Sequence, residues 1–304
     1  MKKITGIILL LCMVLALVAC TDHGSTTPET TTPENTAHEI TMQEIYDANK
    51  TEVVLENHQS VYVLDAMDGE VYGEKYLTKE YSYVHYPDAE YDWAQFMTDN
   101  ASYAYSSGAY LCYLYIAPEG VTNDFASDRA ELGAPVLGLD IVDETIESVS
   151  QEDGSIIVKS YLGQEILADM AELGVSDCKN EYVLEAENYE LISVIRDYTY
   201  ADGTAFRSTT EVTYDAEAPE MYEEFLKYAN QTEDLRKITV VSNPGTEKEV
   251  SQDFQIPKGL NIGFTYGDEF ADKVEFYTDA ACTEAFDPYM DAESDLTVYV
   301  KWAE

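Results

Sequence analysis

The order of elements along this chain predicts an α+β fold, an antiparallel sheet with helices on one side followed by a small, separate β domain. Three observations carry that reading. Period-two alternation dominates residues 60–116 and returns between 141 and 214, interrupted by short helical patterns. Asp-Gly pairs at 68–69, 153–154 and 202–203 fall between strand-like runs, where tight hairpin turns belong. No regular strand–helix–strand alternation occurs, which argues against a parallel doubly wound sheet.

The chain opens with Lys2 and Lys3, then an apolar run from Ile4 to Ala19. A basic start, a short apolar run and a small residue before the cut describe a secretory signal peptide over residues 1–19. The run is shorter than the roughly 20 residues that span a bilayer as a helix. Leu17-Val18-Ala19-Cys20 resembles the lipobox of bacterial lipoproteins. The resemblance implies a diacylglyceryl group on the Cys20 sulfur and a mature chain that starts there. It would be anchored in the cell membrane, facing the extracytoplasmic side. Two acyl chains anchor stably where one binds only reversibly. An ordinary secretory signal with an incidental Cys20 is the alternative.

Residues 20–38 follow as a tether. They contain seven threonines, Pro28 and Pro33, and almost nothing apolar to offset chain entropy. Order begins at Ile40. Thr41 and Glu44 form a capping-box pattern, and Ile40 with Ile45 a hydrophobic staple. Ile45, Ala48, Glu52 and Leu55 share one stripe, so one helix is expected up to Asn57. Val61, Val63 and Asp65 then alternate with Tyr62, Leu64 and Ala66. Val71 to Tyr86 and Tyr91 to Met97 continue in β-rich, tyrosine-rich segments. Ala109 to Ile116 is apolar on both faces, as a central strand would be. Ala117 to Asp140 has few strand signals and reads as a long connection, a class that is often functional.

Strands resume at Ile141 to Val149 and Ser155 to Leu162. Gln164 to Leu173 is a short amphipathic helix closed by Gly174. Glu181 to Ala186, Glu190 to Tyr200 and Thr204 to Tyr214 form a meander, and Pro219 to Ala229 a closing helix. The helix, the long antiparallel meander with its inserted helix, and the ending Glu211-Val212-Thr213-Tyr214-Asp215 resemble the LolA/LppX-type lipoprotein-carrier superfamily. For residues 39–230 the resemblance implies a curved sheet folded into an open half-barrel that holds acyl chains beneath its helices.

Residues 237–304 carry Val274-Glu275-Phe276-Tyr277-Thr278-Asp279 and the ending Leu296-Thr297-Val298-Tyr299-Val300-Lys301-Trp302. These are similar to the internalin-type B-repeat (the Listeria–Bacteroides repeat), which implies a small β-grasp-like module. Phe276 stands where that family usually has Trp, and the upstream double-glycine turn is absent. Phe276, Tyr299 and Trp302 are read as core aromatics of that module.

Composition narrows the function. With 12% aromatic and 45% hydrophobic residues the chain can bury a core. Loss of residues 1–19 removes two of 17 basic side chains and none of 59 acids, leaving a formal charge of −44. Such a surface repels nucleic acid, anionic lipid and anionic wall polymers, which argues against them as direct partners. Cys112, Cys178 and Cys282 remain once Cys12 leaves and Cys20 is lipidated. They are read as single thiols, with a Cys112–Cys178 bridge as the alternative.

Catalytic constellations are scarce. His58 and His85 are the only histidines outside the tether, and neither has metal-ligand spacing. Ser176-Asp177-Cys178-Lys179 matches the Ser-x-x-Lys string of penicillin-recognising acylases, but a helix has just ended there and no Lys-Thr-Gly partner exists. Acid pairs such as Asp88/Glu90/Asp92 and Asp287/Asp291/Asp295 are unavoidable among 59 acids. No catalytic activity, cofactor or metal is expected.

Tyrosine stands out, with 25 copies. Two readings stay open. Tyr suits half-buried strands, with the ring packed inward and the hydroxyl in water. Alternatively Tyr81, Tyr83, Trp93, Phe96, Tyr103, Tyr105, Tyr113 and Tyr115 line an aromatic concavity for an acyl chain or a sugar ring. The functional expectation is a membrane-anchored, non-catalytic lipoprotein that binds or carries an apolar, lipid-like ligand. Its alternative is a cell-surface structural or adhesin-like lipoprotein that meets a protein partner and takes no small molecule.

Overall fold

A computed structural model describes residues 40–303 apart from 88–91, 107, 123, 134–143, 172, 268–269 and 271–272. The signal run, Cys20 and the tether lie outside the described residues. Two helices come first, α1 (Met42–Ala48) and α2 (Thr51–Asn57), followed by β1 (Val61–Met67), β2 (Glu70–Leu77), β3 (Ser82–Tyr86) and β4 (Trp93–Met97). Next are β5 (Ser102–Ser106), β6 (Ala109–Ala117), β7 (Gly120–Thr122) and α3 (Ala126–Gly133). Then come β8 (Glu144–Glu152), β9 (Ser155–Leu162), α4 (Gln164–Ala171), β10 (Val175–Glu185), β11 (Leu191–Tyr200), β12 (Ala205–Tyr214) and α5 (Glu220–Ala229). The chain ends with β13 (Leu235–Ser242), β14 (Val250–Pro257), β15 (Asn261–Thr265), β16 (Val274–Tyr277) and β17 (Leu296–Trp302).

The fold is mostly antiparallel sheet with few helices, more sheet-rich than the α+β expectation implies. Among the described residues seventeen strands accompany five short helices, none long and apolar enough to cross a membrane. The chain divides into two compact units. One draws on residues up to Val71 and on Ala134–Tyr214, the other on Tyr72–Gly133 and Asp215 onward.

In the first unit the strands run β1-β12-β11-β10-β9-β8, all antiparallel. Asp68 and Gly69 both adopt positive φ (50° and 86°), as do Asp153 and Gly154 (49° and 87°), so these Asp-Gly pairs form the tight turns that their residue types favour. Burial alternates along β10: Cys178, Asn180, Tyr182 and Leu184 face inward, with Lys179 exposed between them. The capping box is present, with Glu44 N–H donating to Thr41 Oγ1 and Thr41 N–H to Glu44 Oε2.

The single helix expected over 41–57 is two. The hydrophobic stripe continues through the break, but Asn49 does not. Its Nδ2 donates to the carbonyls of Ile45 and Tyr189, each at 2.8 Å, and its Oδ1 accepts the Leu191 N–H at 2.8 Å. A buried side chain that satisfies backbone on a distant turn stops the helix where propensity alone would not.

In the second unit one sheet runs β15-β6-β5-β4-β3-β2, with β7 also on β6, and a second runs β14-β13-β17-β16. The expected long connection over 117–140 carries β7 and α3 among its described residues. β15 leaves its neighbours in the C-terminal segment and pairs in parallel with β6, Ile262 opposite Cys112. Gly263 permits this, because a Cβ there would stand 2.4 Å from Cε1 of Tyr113. Arg236 ties the surrounding loops together. It is buried, and its guanidinium donates to the carbonyls of Leu260 (2.6 Å), Asp291 (2.7 Å) and Ser294 (3.1 Å).

Candidate functional site

Cross-strand register in the second unit sets Tyr76, Tyr83, Phe96, Tyr103, Cys112 and Ile262 in one row on one face of the sheet. All six are buried. The cover is α5, which begins after Pro219 and turns Tyr222 and Phe225 inward. Tyr222 meets Tyr76, Tyr81, Tyr83 and Phe96 at centroid distances of 4.7–6.3 Å, mostly edge to face. Phe225 meets Phe96 and Tyr110 at 5.7 and 5.3 Å. Such pairs are favoured by ring quadrupoles as well as by area. The helix therefore occupies the aromatic face that was a candidate for an acyl chain.

The eight aromatic candidates do not share one face. Tyr81, Tyr83, Phe96 and Tyr103 lie on the α5 side, and Tyr105 joins them through Tyr110 at 5.0 Å. Trp93, Tyr113 and Tyr115 point the other way. Trp93 stacks on Tyr86 at 5.7 Å, Tyr113 covers Gly263, and Tyr115 meets Phe125 edge to face. On that side Ser82 Oγ donates to the Arg129 carbonyl of α3. Helices thus stand on both faces of this sheet, where one-sided cover was expected.

Beside the aromatic row, His85 lies between two carboxylates. Nδ1 is 2.9 Å from Glu74 Oε1 and Nε2 is 2.7 Å from Asp92 Oδ1, while the Tyr83 hydroxyl donates to Glu74 at 3.2 Å. Two acceptors demand two ring N–H donors, which only the imidazolium has. The Glu74 hydrogen bond, aided by Asp92, raises the His85 pKa against the opposing effect of burial. His58 is paired with Glu190 at 3.1 Å and stacks on Tyr214 at 4.5 Å. Ser176 of the Ser-x-x-Lys string lies in β10 and donates to the Thr199 carbonyl.

The first unit has a different inner face. Across four strands Ser208, Arg196, Asn180 and Ser160 stand opposite one another in one row. Asp65 and Thr210 flank that row on the β1 side. Arg196 Nη1 donates to Thr210 Oγ1 at 3.3 Å, and Thr210 Oγ1 donates to Asp65 Oδ1 at 2.6 Å. At the other end Glu144 accepts the Tyr182 hydroxyl at 2.6 Å and the Ser160 hydroxyl. Asn180 Oδ1 accepts the Cys178 thiol at 3.4 Å, while its buried Nδ2 has no partner among the described residues. Burial and the neighbouring Glu144 carboxylate hold the Tyr182 phenol well above its usual range. Burial pushes the Cys178 thiol up to about 12.

Apolar groups lie on either side of this band. Toward α4, Leu162, Met170, Val175, Cys178 and Tyr198 form one cluster with Ile166 and Phe206 against it. Toward the β10–β11 turn, Leu184 and Leu191 pair in register, and Val61 and Val63 are buried on β1. The aromatic spacing of the sequence does not point to this band. Its signal is parity: Asn180, Arg196, Ser208 and Thr210 are polar residues in the inward, otherwise apolar phase of three adjacent strands.

No family model matches the chain, and no curated protein matches it in sequence. Among solved structures it is similar to lipoprotein LppX of Mycobacterium tuberculosis, at 8% identity over 59% of this chain and 94% of that one, with a TM-score of 0.32. A LolA superfamily protein of Nitrosomonas europaea matches at 10% identity over 60% of this chain and 97% of that one, TM-score 0.23. MucB matches at 10% identity over 59% of each chain, also at 0.23. Likeness of this degree carries no statement about ligand or partner, which rest on the residues.

Proposed function

We propose that this chain is an extracytoplasmic lipoprotein, anchored through Cys20, that binds an apolar, lipid-like ligand without catalysis in its first unit. One observation carries the reading. The inner face of that unit places a polar band with an unpaired amide donor between apolar clusters, a pattern suited to an amphiphile and costly to a core that binds nothing. Native mass spectrometry of the protein from expressing bacteria should detect an adduct that solvent extraction removes. A bare mass from cooperatively folded protein would discard the carrier reading. Incorporation of radiolabelled palmitate, lost in Cys20→Ala, tests the anchor.

A second reading draws on the second unit. Its aromatic face is filled by Tyr222 and Phe225, which leaves that unit to present surfaces to other proteins rather than to hold a small molecule. A cell-surface, adhesin-like role without any ligand follows if the first unit proves empty.

A further inference from the structure

We infer that the polar band in the first unit recognises an uncharged oxygen-bearing head group, an ester carbonyl or a hydroxyl, on the apolar ligand; this rests on the carrier reading above. Asn180 is the anchor of the inference. The residue is only 4% exposed, and Nδ2 has no hydrogen-bond partner among the described residues. The Cys178 thiol occupies the other amide atom. With the amide turned over, Oδ1 would be the lone atom, and a ligand hydroxyl, which donates as well as accepts, would still satisfy it. A buried donor without an acceptor destabilises the fold, so a ligand oxygen that supplies the acceptor gains what the empty protein lacks.

Charge selects the class of head group. Among the described residues the band holds one guanidinium, Arg196, and two carboxylates, Asp65 and Glu144. Both carboxylates already accept hydrogen bonds, Asp65 from Thr210 and Glu144 from Tyr182 and Ser160. An anionic head group would meet more negative than positive charge at low dielectric. A cationic one would lie against Arg196, directly across from Asn180 in register. A neutral oxygen avoids both penalties and accepts from Nδ2.

The test is native mass spectrometry of the full chain incubated with equal concentrations of three probes that share one tail: monomyristoylglycerol, myristic acid and tetradecyltrimethylammonium. The monoacylglycerol adduct is expected to exceed either charged probe about tenfold. Asn180→Leu, with an unchanged thermal transition, should erase that preference. Equal binding of the three probes, or full monoacylglycerol binding by a folded Asn180→Leu variant, overturns the head-group assignment and leaves the carrier reading standing. The probe comparison on the unaltered chain decides the matter even if the variant does not fold. Failure of all three probes to bind removes the carrier reading, and this inference with it.

Discussion

Phe225 of α5 stacks on Phe96 of β4, ring centroids 5.7 Å apart and planes 12° from parallel. Both rings are fully buried. An aromatic pair of this kind is interior packing. Phe225→Ala is expected to cost about 3–5 kcal/mol, the range for removing a buried aromatic ring. Urea unfolding followed by tyrosine fluorescence would measure it. A loss below about 1 kcal/mol would mean that α5 is a loosely held lid and that the aromatic face can open.

Asn49 stops α1 by serving backbone on the β10–β11 turn. Asn49→Ala leaves the Tyr189 carbonyl and the Leu191 N–H without this partner, and a buried group left so costs about 1–3 kcal/mol. Asn49→Asp keeps an acceptor for Leu191 but loses both donations, so it should fall between parent and alanine variant. Faster hydrogen exchange at the Leu191 amide in Asn49→Ala is the local readout; unchanged exchange would refute the assignment.

His85 makes stability depend on pH with a definite sign. Its folded pKa is raised, by Glu74 first and Asp92 next, above the ordinary histidine value of about 6.5. The contribution is therefore complete below that value and is lost as pH rises through the folded pKa. Melting temperatures of the parent should drop across this window relative to His85→Gln, which removes the titration. An NMR titration placing the His85 ring at or below 6.5 would contradict the two-carboxylate clamp.

The thiols should divide by burial. Cys112 and Cys178 are buried, free, and pushed up to about 12 by burial, so little thiolate forms at neutral pH. Cys282 is free and partly exposed. Dithionitrobenzoate should label Cys282 at once in the native protein and reach the other two only in denaturant. Recovery of a Cys112–Cys178 peptide under non-reducing digestion would contradict this.

Arg236 is a third buried polar anchor, held by three carbonyls. Arg236→Met keeps much of the volume but leaves the Leu260, Asp291 and Ser294 carbonyls to find other donors. A loss of about 2–4 kcal/mol in chemical denaturation is expected. A neutral result would show that packing, not hydrogen bonding, holds those loops.

Much of the architecture is local and was therefore legible. Alternation located most strands, Asp68-Gly69 and Asp153-Gly154 placed their turns, and Thr41 with Glu44 marked the first helix start. These signals depend on neighbours within a few residues. The break at Asn49, the parallel pairing of β15 with β6 and the two-faced distribution of the aromatics were not legible. Each depends on partners far along the chain.

The same division separates candidate site from actual cover. By itself the sequence determined a tyrosine-rich, acidic, mostly antiparallel protein with four histidines, because composition and periodicity are properties of the chain alone. Only the tertiary structure decided that Tyr83 and Phe96 lie beneath Tyr222 and Phe225, and that Asn180, Arg196 and Ser160 fall into one row. Strand register and helix docking set which side chains meet, and both are fixed by long-range packing that no short window of sequence contains.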